Sequence, residues 1–196
     1  MTGRVILIRH GQSVGNESRR FTETDEAALT DLGKAQAGIA AGVLQTRFSP
    51  VRLVASPFRR ALHTAELIGR QIGLDVEVQE AFREQHFGEL RGQPYEAALE
   101  TPGFDLHSRW EWHPPGGDSL LEVQDRAAPA IRKIAREHPE EHAVVVCHGG
   151  TIWALWSHVI GTWEKASGIG NCDLLVLPHD GAAFGDPELI PTSDPE

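Results

Sequence analysis

Apolar residues in this chain follow two rhythms. Val5-Ile6-Leu7-Ile8, Val51-Arg52-Leu53-Val54-Ala55, His142-Ala143-Val144-Val145-Val146-Cys147 and Asp173-Leu174-Leu175-Val176-Leu177 are short runs rich in β-branched residues. They are near-continuous rather than alternating, which predicts strands buried on both faces. Val76 and Val78 alternate with charges, as a short strand does. Between these runs the apolar positions recur at helical spacing. Thr30 is placed to cap a helix through Leu32, Ala35, Ile39, Ala40, Val43 and Leu44. Arg59 to Ile72 carries Ala61, Ala65 and Ile68 on one face and stops at Gly73. Leu120 to Arg136 is amphipathic, and a further helix is predicted from Thr151 to about His158. Ser13 to Ala28 reads as loop with room for a helical turn, and the tail from Asp186 as loose. Strands alternating with helices predict an α/β domain, a three-layer αβα sandwich on a mostly parallel sheet.

One stretch breaks the rhythm. Phe82 to Gly117 holds His86, His107, His113, Trp110, Trp112 and Pro114-Pro115-Gly116-Gly117 with little periodicity. It reads as a lid-like insertion over the domain, because long aromatic-rich excursions in compact domains are often binding-site lids. The expectation is a single domain over 1–196 with a lid at about 82–117.

The residue totals narrow the function classes. A chain of 196 residues can bury a core without disulfide or metal staples. A net charge of −10 argues against general nucleic-acid binding. It leaves room for an anionic ligand, because a few arginines can invert the field inside one pocket. Cys147 and Cys172 have neither CxxC nor disulfide-framework spacing, which predicts a reducing compartment. No charged leader precedes the first strand, and no apolar run approaches the ~20 residues that span a bilayer. Together these features predict a cytoplasmic protein with no membrane or nucleic-acid partner. They leave oligomeric state open, with a homodimer as one option.

The candidate chemistry lies at the strand ends. The first strand runs into Arg9-His10-Gly11, and the fourth into His148-Gly149-Gly150. Ser56-Pro57 leads from the second strand to a helix carrying Arg60. Cations near a core are costly unless paired, and ligands of open α/β sheets sit beyond the carboxyl ends of the strands. Taken singly, a strand-end histidine is usually a satisfied group, Arg60 a solvated helix residue, and Gly149-Gly150 a turn. Four such features on one rim point instead to an anion, with phosphate the expected guest.

These residues also carry a family resemblance. Arg9-His10-Gly11-Gln12-Ser13 with Asn16, Leu29-Thr30 with Gly33 and Gln36-Ala37, and Ser56-Pro57 followed by Arg60-Ala61 and Thr64-Ala65 match in order. So do Glu84 with Gly88 and Gly92, Pro115-Gly116-Gly117-Asp118-Ser119, Arg126, and Val146-Cys147-His148-Gly149-Gly150. The chain resembles the histidine phosphatase superfamily, which includes cofactor-dependent phosphoglycerate mutases and many phosphomonoesterases. The resemblance implies that His10 is the nucleophile, forming a phosphohistidine. It implies that Arg9, Arg60 and His148 hold the phosphoryl oxygens and that Asn16 contacts the phosphate. Gln12, Ser13, Thr22 and Gly149 then fall among the substrate-binding positions, with Arg109 as the available lid cation. Glu84 matches the family's proton donor. Glu89 is the competing carboxylate, but Glu84 alone fits the spacing to Gly88 and Gly92. The implied mechanism needs no metal and no cofactor.

Within the family the signals are mixed. Glu84 to Gly92 and Arg20-Phe21-Thr22 resemble the mutases, yet Phe87 stands where mutases of this type carry Tyr, and Tyr95 where they carry Lys. Arg109 stands without the paired lid arginine of the mutases. Gly150-Thr151 and Asn171-Cys172 look phosphatase-like. The expectation is a histidine acid-type phosphatase acting on a small phosphorylated metabolite. Phe87, Trp110 and Trp112 suggest a substrate with an apolar or aromatic portion. The alternatives are a phosphoglycerate mutase, a non-catalytic phospho-ligand module and a metal-dependent hydrolase.

Overall fold

The computed structural model describes residues 3–22 and 24–192. Six strands form one sheet, β1 (Gly3–Arg9), β2 (Pro50–Ala55), β3 (Val76–Val78), β4 (His142–Cys147), β5 (Leu174–His179) and β6 (Glu188–Ile190), in the order β3-β2-β4-β1-β5-β6. The first four in that order run parallel, and β5 and β6 are added antiparallel. The sheet is therefore α/β and mostly parallel, as the alternation of strands and helices predicts.

The helices cover both faces. A short α1 (Val14–Glu17) follows β1, and α2 (Asp31–Arg47), α3 (Arg59–Ile72), α4 (Leu120–Glu137) and α5 (Gly149–Ile160) are the main helices. Ile6 and Ile8 of β1 pack with Val144, Val146, Ala37, Ala40, Leu44 and Ile68 on the α2–α3 side. Val5 and Leu7 pack with Val145, Ile131, Ile134, Ile152 and Leu155 on the α4–α5 side. Two buried faces account for the uninterrupted apolar runs.

Three local expectations need correction. Thr30 does cap α2, its hydroxyl accepting from Gly33 N–H at 3.1 Å. The buried face of α2, however, is Gly33, Gln36, Ala37, Ala40, Ala41 and Leu44, while Leu32 and Ile39 are exposed. Small residues let the helix close on the loop after β1. A Cβ on Gly33 would lie 2.1 Å from the Gln12 carbonyl oxygen, and one on Gly11 2.2 Å from that of Gly33. The tail is not loose through Thr192: β6 pairs with β5, and Thr192 donates to Asp173 Oδ1 at 2.8 Å. Finally, α5 begins two residues earlier than expected, at Gly149, with His148 as its N-cap.

The stretch from Phe82 to Gly117 contains only 3₁₀ turns, Gly88–Leu90 and Tyr95–Glu100, beyond the one ending at Phe82. Its two ends are laced together. Asp118 N–H donates to His86 O at 2.9 Å, and Gln85 Nε2 to Asp118 O at 2.7 Å. Phe82 belongs to the core rather than to the surface.

Candidate active site

The parallel registers of β1, β2 and β4 bring three strand ends together. Arg9 pairs with Cys147, and Ala55 and Ile8 both pair with Val146. His10 N–H then donates to Cys147 O at 2.9 Å, and Ser56 N–H to Val146 O at 3.0 Å. His10, Ser56 and His148 therefore leave the sheet side by side. The rings of His10 and His148 lie 5.2 Å apart, edge to face.

The neighbours of His10 assign its protons. Nδ1 lies 2.8 Å from Gly11 O, which can only accept, so Nδ1 carries the hydrogen. Nε2 lies 3.2 Å from Arg60 Nε, which can only donate, so Nε2 presents a lone pair. Burial first, then Arg60 and Arg9, holds His10 well below its ordinary value and hence neutral. Burial and the same cations act on His148 in the same direction. Its Nε2 shares a 2.7 Å hydrogen bond with the Ser56 hydroxyl, which also accepts from Phe58 N–H.

Neighbours of this imidazole carry three buried nitrogens with no hydrogen-bond partner among the described residues: Arg9 Nε, Arg60 Nη1 and His148 Nδ1. Arg60 is 3% exposed, and burial pulls its guanidinium down from its ordinary value. Buried polar groups are nearly always hydrogen-bonded, so three unmatched ones on neighbours of one histidine point to a ligand site. Arg9 Nη1, by contrast, is held by Ile169 O at 2.7 Å, which fixes that side chain beside Gly149.

Glu84 sits at the N-terminus of α5. Its Oε1 accepts from Gln85 N–H at 3.0 Å and Thr151 N–H at 3.2 Å, and its Oε2 from Gly150 N–H at 3.3 Å. A Cβ on Gly150 would lie 2.6 Å from Oε1, so glycine makes this approach possible. Arg126 clamps the preceding backbone, donating to Ala81 O, Arg83 O and Glu84 O at 3.1, 2.7 and 3.4 Å. Glu89 sits in the Gly88–Leu90 turn, is exposed and makes no such contacts with α5.

The remaining candidates divide. Asn16 is part of a web: its Oδ1 accepts from Ser13 and Asn171, its Nδ2 donates to the Tyr95 hydroxyl at 3.3 Å, and Asn171 Nδ2 reaches His10 O at 2.8 Å. Thr22 joins Arg60, Phe87 and Gln85 around a small recess. Gly149 and Arg109 line a larger cleft. Two side chains are bonded within the loop. Ser13 is fully buried and caps α1, and Gln12 Oε1 accepts from the Thr30 hydroxyl at 2.8 Å. Both fasten the loop to its own helices. Trp110 is also packing rather than lining, stacked on Trp163 with ring centroids 5.8 Å apart, whereas Phe87 and Trp112 do line the cleft. Ser56, Thr151, Asn171, Tyr95 and Arg126 are positioned in the site with no role foreseen from sequence. The motif Ser56-Pro57 and the pair Asn171-Cys172 were the available signals. Among the described residues, no group of three or more His, Cys, Asp or Glu is arranged to hold a metal ion. Among them also, no helix is long and apolar enough to cross a membrane.

Comparison with known proteins identifies the family. The model of the histidine phosphatase superfamily (branch 1) matches residues 5–184. Glucosyl-3-phosphoglycerate phosphatase of Mycolicibacterium vanbaalenii is 34% identical, covering 94% of this chain and 88% of its own. Metal-independent phosphoserine phosphatase of Arabidopsis thaliana is 29% identical, covering 79% and 68%. Among solved structures, mycobacterial glucosyl-3-phosphoglycerate phosphatase complexed with VO3 has a TM-score of 0.84 at 31% identity, covering 95% of this chain and 97% of that one. The chain belongs to the histidine phosphatase superfamily, in its first branch.

Proposed function

We propose that this protein is a phosphomonoesterase that transfers the phosphoryl group of a small phosphorylated metabolite to water through His10. The observation that carries the reading is the neutral His10, whose Nε2 faces Arg60, beside the buried, unpartnered donors Arg9 Nε and Arg60 Nη1 and the His148 ring. These donors match the charge that spreads over the non-bridging oxygens during transfer. The Nε2 lone pair attacks phosphorus, the ester P–O bond breaks, and Glu84 gives its proton to the departing oxygen. Glu84, now a carboxylate, takes a proton from water as that water attacks phosphorus. The N–P bond breaks, returning neutral His10 and releasing inorganic phosphate. Residues 82–117 act in this reading as the lid that carries Glu84 and the leaving-group contacts.

An acid-type phosphatase goes beyond the branch 1 match and is inferred from the same imidazole. His10 held well below 6.5 stays nucleophilic into the acid range. Two buried free thiols, with Cys172 pushed up to about 12, suit a reducing compartment such as the cytoplasm.

The test is hydrolysis of 4-nitrophenyl phosphate by the wild type and by His10→Ala. Turnover should fall by about 10³-fold or more in the variant. Equal rates in both would remove the catalytic claim. Glu84 to Gly92 also fits a mutase, so the protein should be incubated with 3-phosphoglycerate and 2,3-bisphosphoglycerate. Rapid 2-phosphoglycerate formation without phosphate release would overturn hydrolysis in favour of mutation.

A further inference from the structure

The space beyond Glu84 has a chemistry of its own. A cleft of about 480 Å³ opens next to Gly149 and Gly150, the two residues that carry Arg9 and Glu84 on their flanks. The cleft thus adjoins the Arg9 and Glu84 side chains. Its volume falls within the range of pockets that enclose a drug-sized molecule. Phe87 packs on Phe21 with ring centroids 4.6 Å apart, and Phe21 on Tyr95 at 5.2 Å, giving one aromatic wall. Phe104 and Trp112, edge to face at 4.8 Å, help form another. Leu99 and Leu106, which also line the cleft, are 61% and 62% exposed and extend its apolar surface.

Charge decides what the cleft suits. Among the described residues lining the cleft, only Arg109 and Glu96 are charged. The Arg109 guanidinium lies over the Trp153 ring at 4.0 Å, and Glu96 pairs with Arg19 at 3.6 Å. A leaving group with a carboxylate or second phosphate would meet one lining cation, Arg109, already engaged with the Trp153 ring. A neutral apolar body would meet aromatic rings and two uncovered leucines.

We propose that this cleft binds the apolar body of the leaving alcohol, making the preferred substrates phosphate monoesters of aliphatic or aromatic alcohols rather than of sugar acids. This rests on the phosphomonoesterase reading above. It goes further by naming the substrate class and its determinants, Phe87, Leu99, Leu106 and Trp112.

The experiment compares ethyl phosphate with n-octyl phosphate, whose leaving oxygens are chemically alike, and adds 3-phosphoglycerate. Octyl phosphate should have a kcat/KM at least tenfold above ethyl phosphate and above 3-phosphoglycerate. In the double variant Leu99→Ser, Leu106→Ser the octyl-to-ethyl ratio should fall at least fivefold. Phosphate release from ethyl phosphate with no gain for octyl phosphate, or a preference for 3-phosphoglycerate, would overturn the apolar cleft and leave the phosphatase reading standing. An octyl preference unchanged in the double variant would overturn the assignment of the two leucines. No release from any ester would remove the phosphatase reading, and this inference with it.

Discussion

In the proposed reaction His10 can act as the nucleophile because a carbonyl oxygen claims one of its nitrogens and a guanidinium points at the other. Glu84 depends on its surroundings in the same way, and Gly150 is the residue that leaves room for it. Gly150→Ala would place a methyl 2.6 Å from Glu84 Oε1 and 3.1 Å from Leu120 Cδ2. Both are side-chain ends, so the strain falls on the placement of the carboxyl more than on the backbone. The variant should fold normally by circular dichroism and lose about 10²-fold in kcat on ethyl phosphate. The loss on 4-nitrophenyl phosphate should be much smaller, because a good leaving group needs little protonation. Equal losses on the two esters would remove Glu84 from proton transfer. At this scale the strand-end residues were legible, since a buried run that ends in Arg-His-Gly demands an explanation. The bonds that Gln12 and Ser13 make within the loop, and the clamp by Arg126, were not. Such bonds depend on partners 3 to 45 residues away, and spacing alone does not choose between facing the ligand and facing the chain.

Among the elements, α2 shows why a hydrophobic pattern can mislead. Leu32 and Ile39 recur at helical spacing but face solvent, because the contact with the β1 loop needs Gly33 and alanines instead. Close backbone approach outweighs side-chain hydrophobicity here. Gly33→Ala would set a methyl against the Gln12 carbonyl, a backbone atom that cannot swing aside. It should destabilise the protein by about 1–3 kcal/mol, read as a lowered denaturation midpoint with an unchanged slope. It should also lower kcat/KM, because the displaced loop carries His10. An unchanged midpoint would show that the loop has slack. The strand order, too, was legible only in part. Alternation implied a parallel sheet, but the antiparallel β5 and the pairing of β6 depend on long-range contacts that no local pattern encodes.

For the whole molecule, the buried histidines couple charge to folding. His10 and His148 are held well below 6.5 by burial and nearby arginines, and His63, His142, His158 and His179 are lowered as well, chiefly by burial. The unfolded chain takes up protons on these groups near 6.5, while the folded chain resists. Stability is therefore full above 6.5 and declines as the pH falls towards the folded values. The melting temperature should drop on going from pH 7 to pH 5, before most carboxylates titrate. A flat or rising melting temperature over that interval would contradict the neutral assignment of the buried imidazoles. The acid limb of kcat/KM should likewise lie below 6.5.

The sheet seam and the turns of 82–117 also divide the labour of change. His10 and His148 stand at the ends of adjacent central strands, where a substitution disturbs the core on both sides. Phe87, Leu99, Leu106 and Trp112 hang on turns and loops that carry little of that core. A lineage built on this chain can thus exchange one alcohol for another by altering a few surface residues. The phosphoryl chemistry stays fixed beneath it, so descendants with the same reaction and different diets are the outcome this architecture favours.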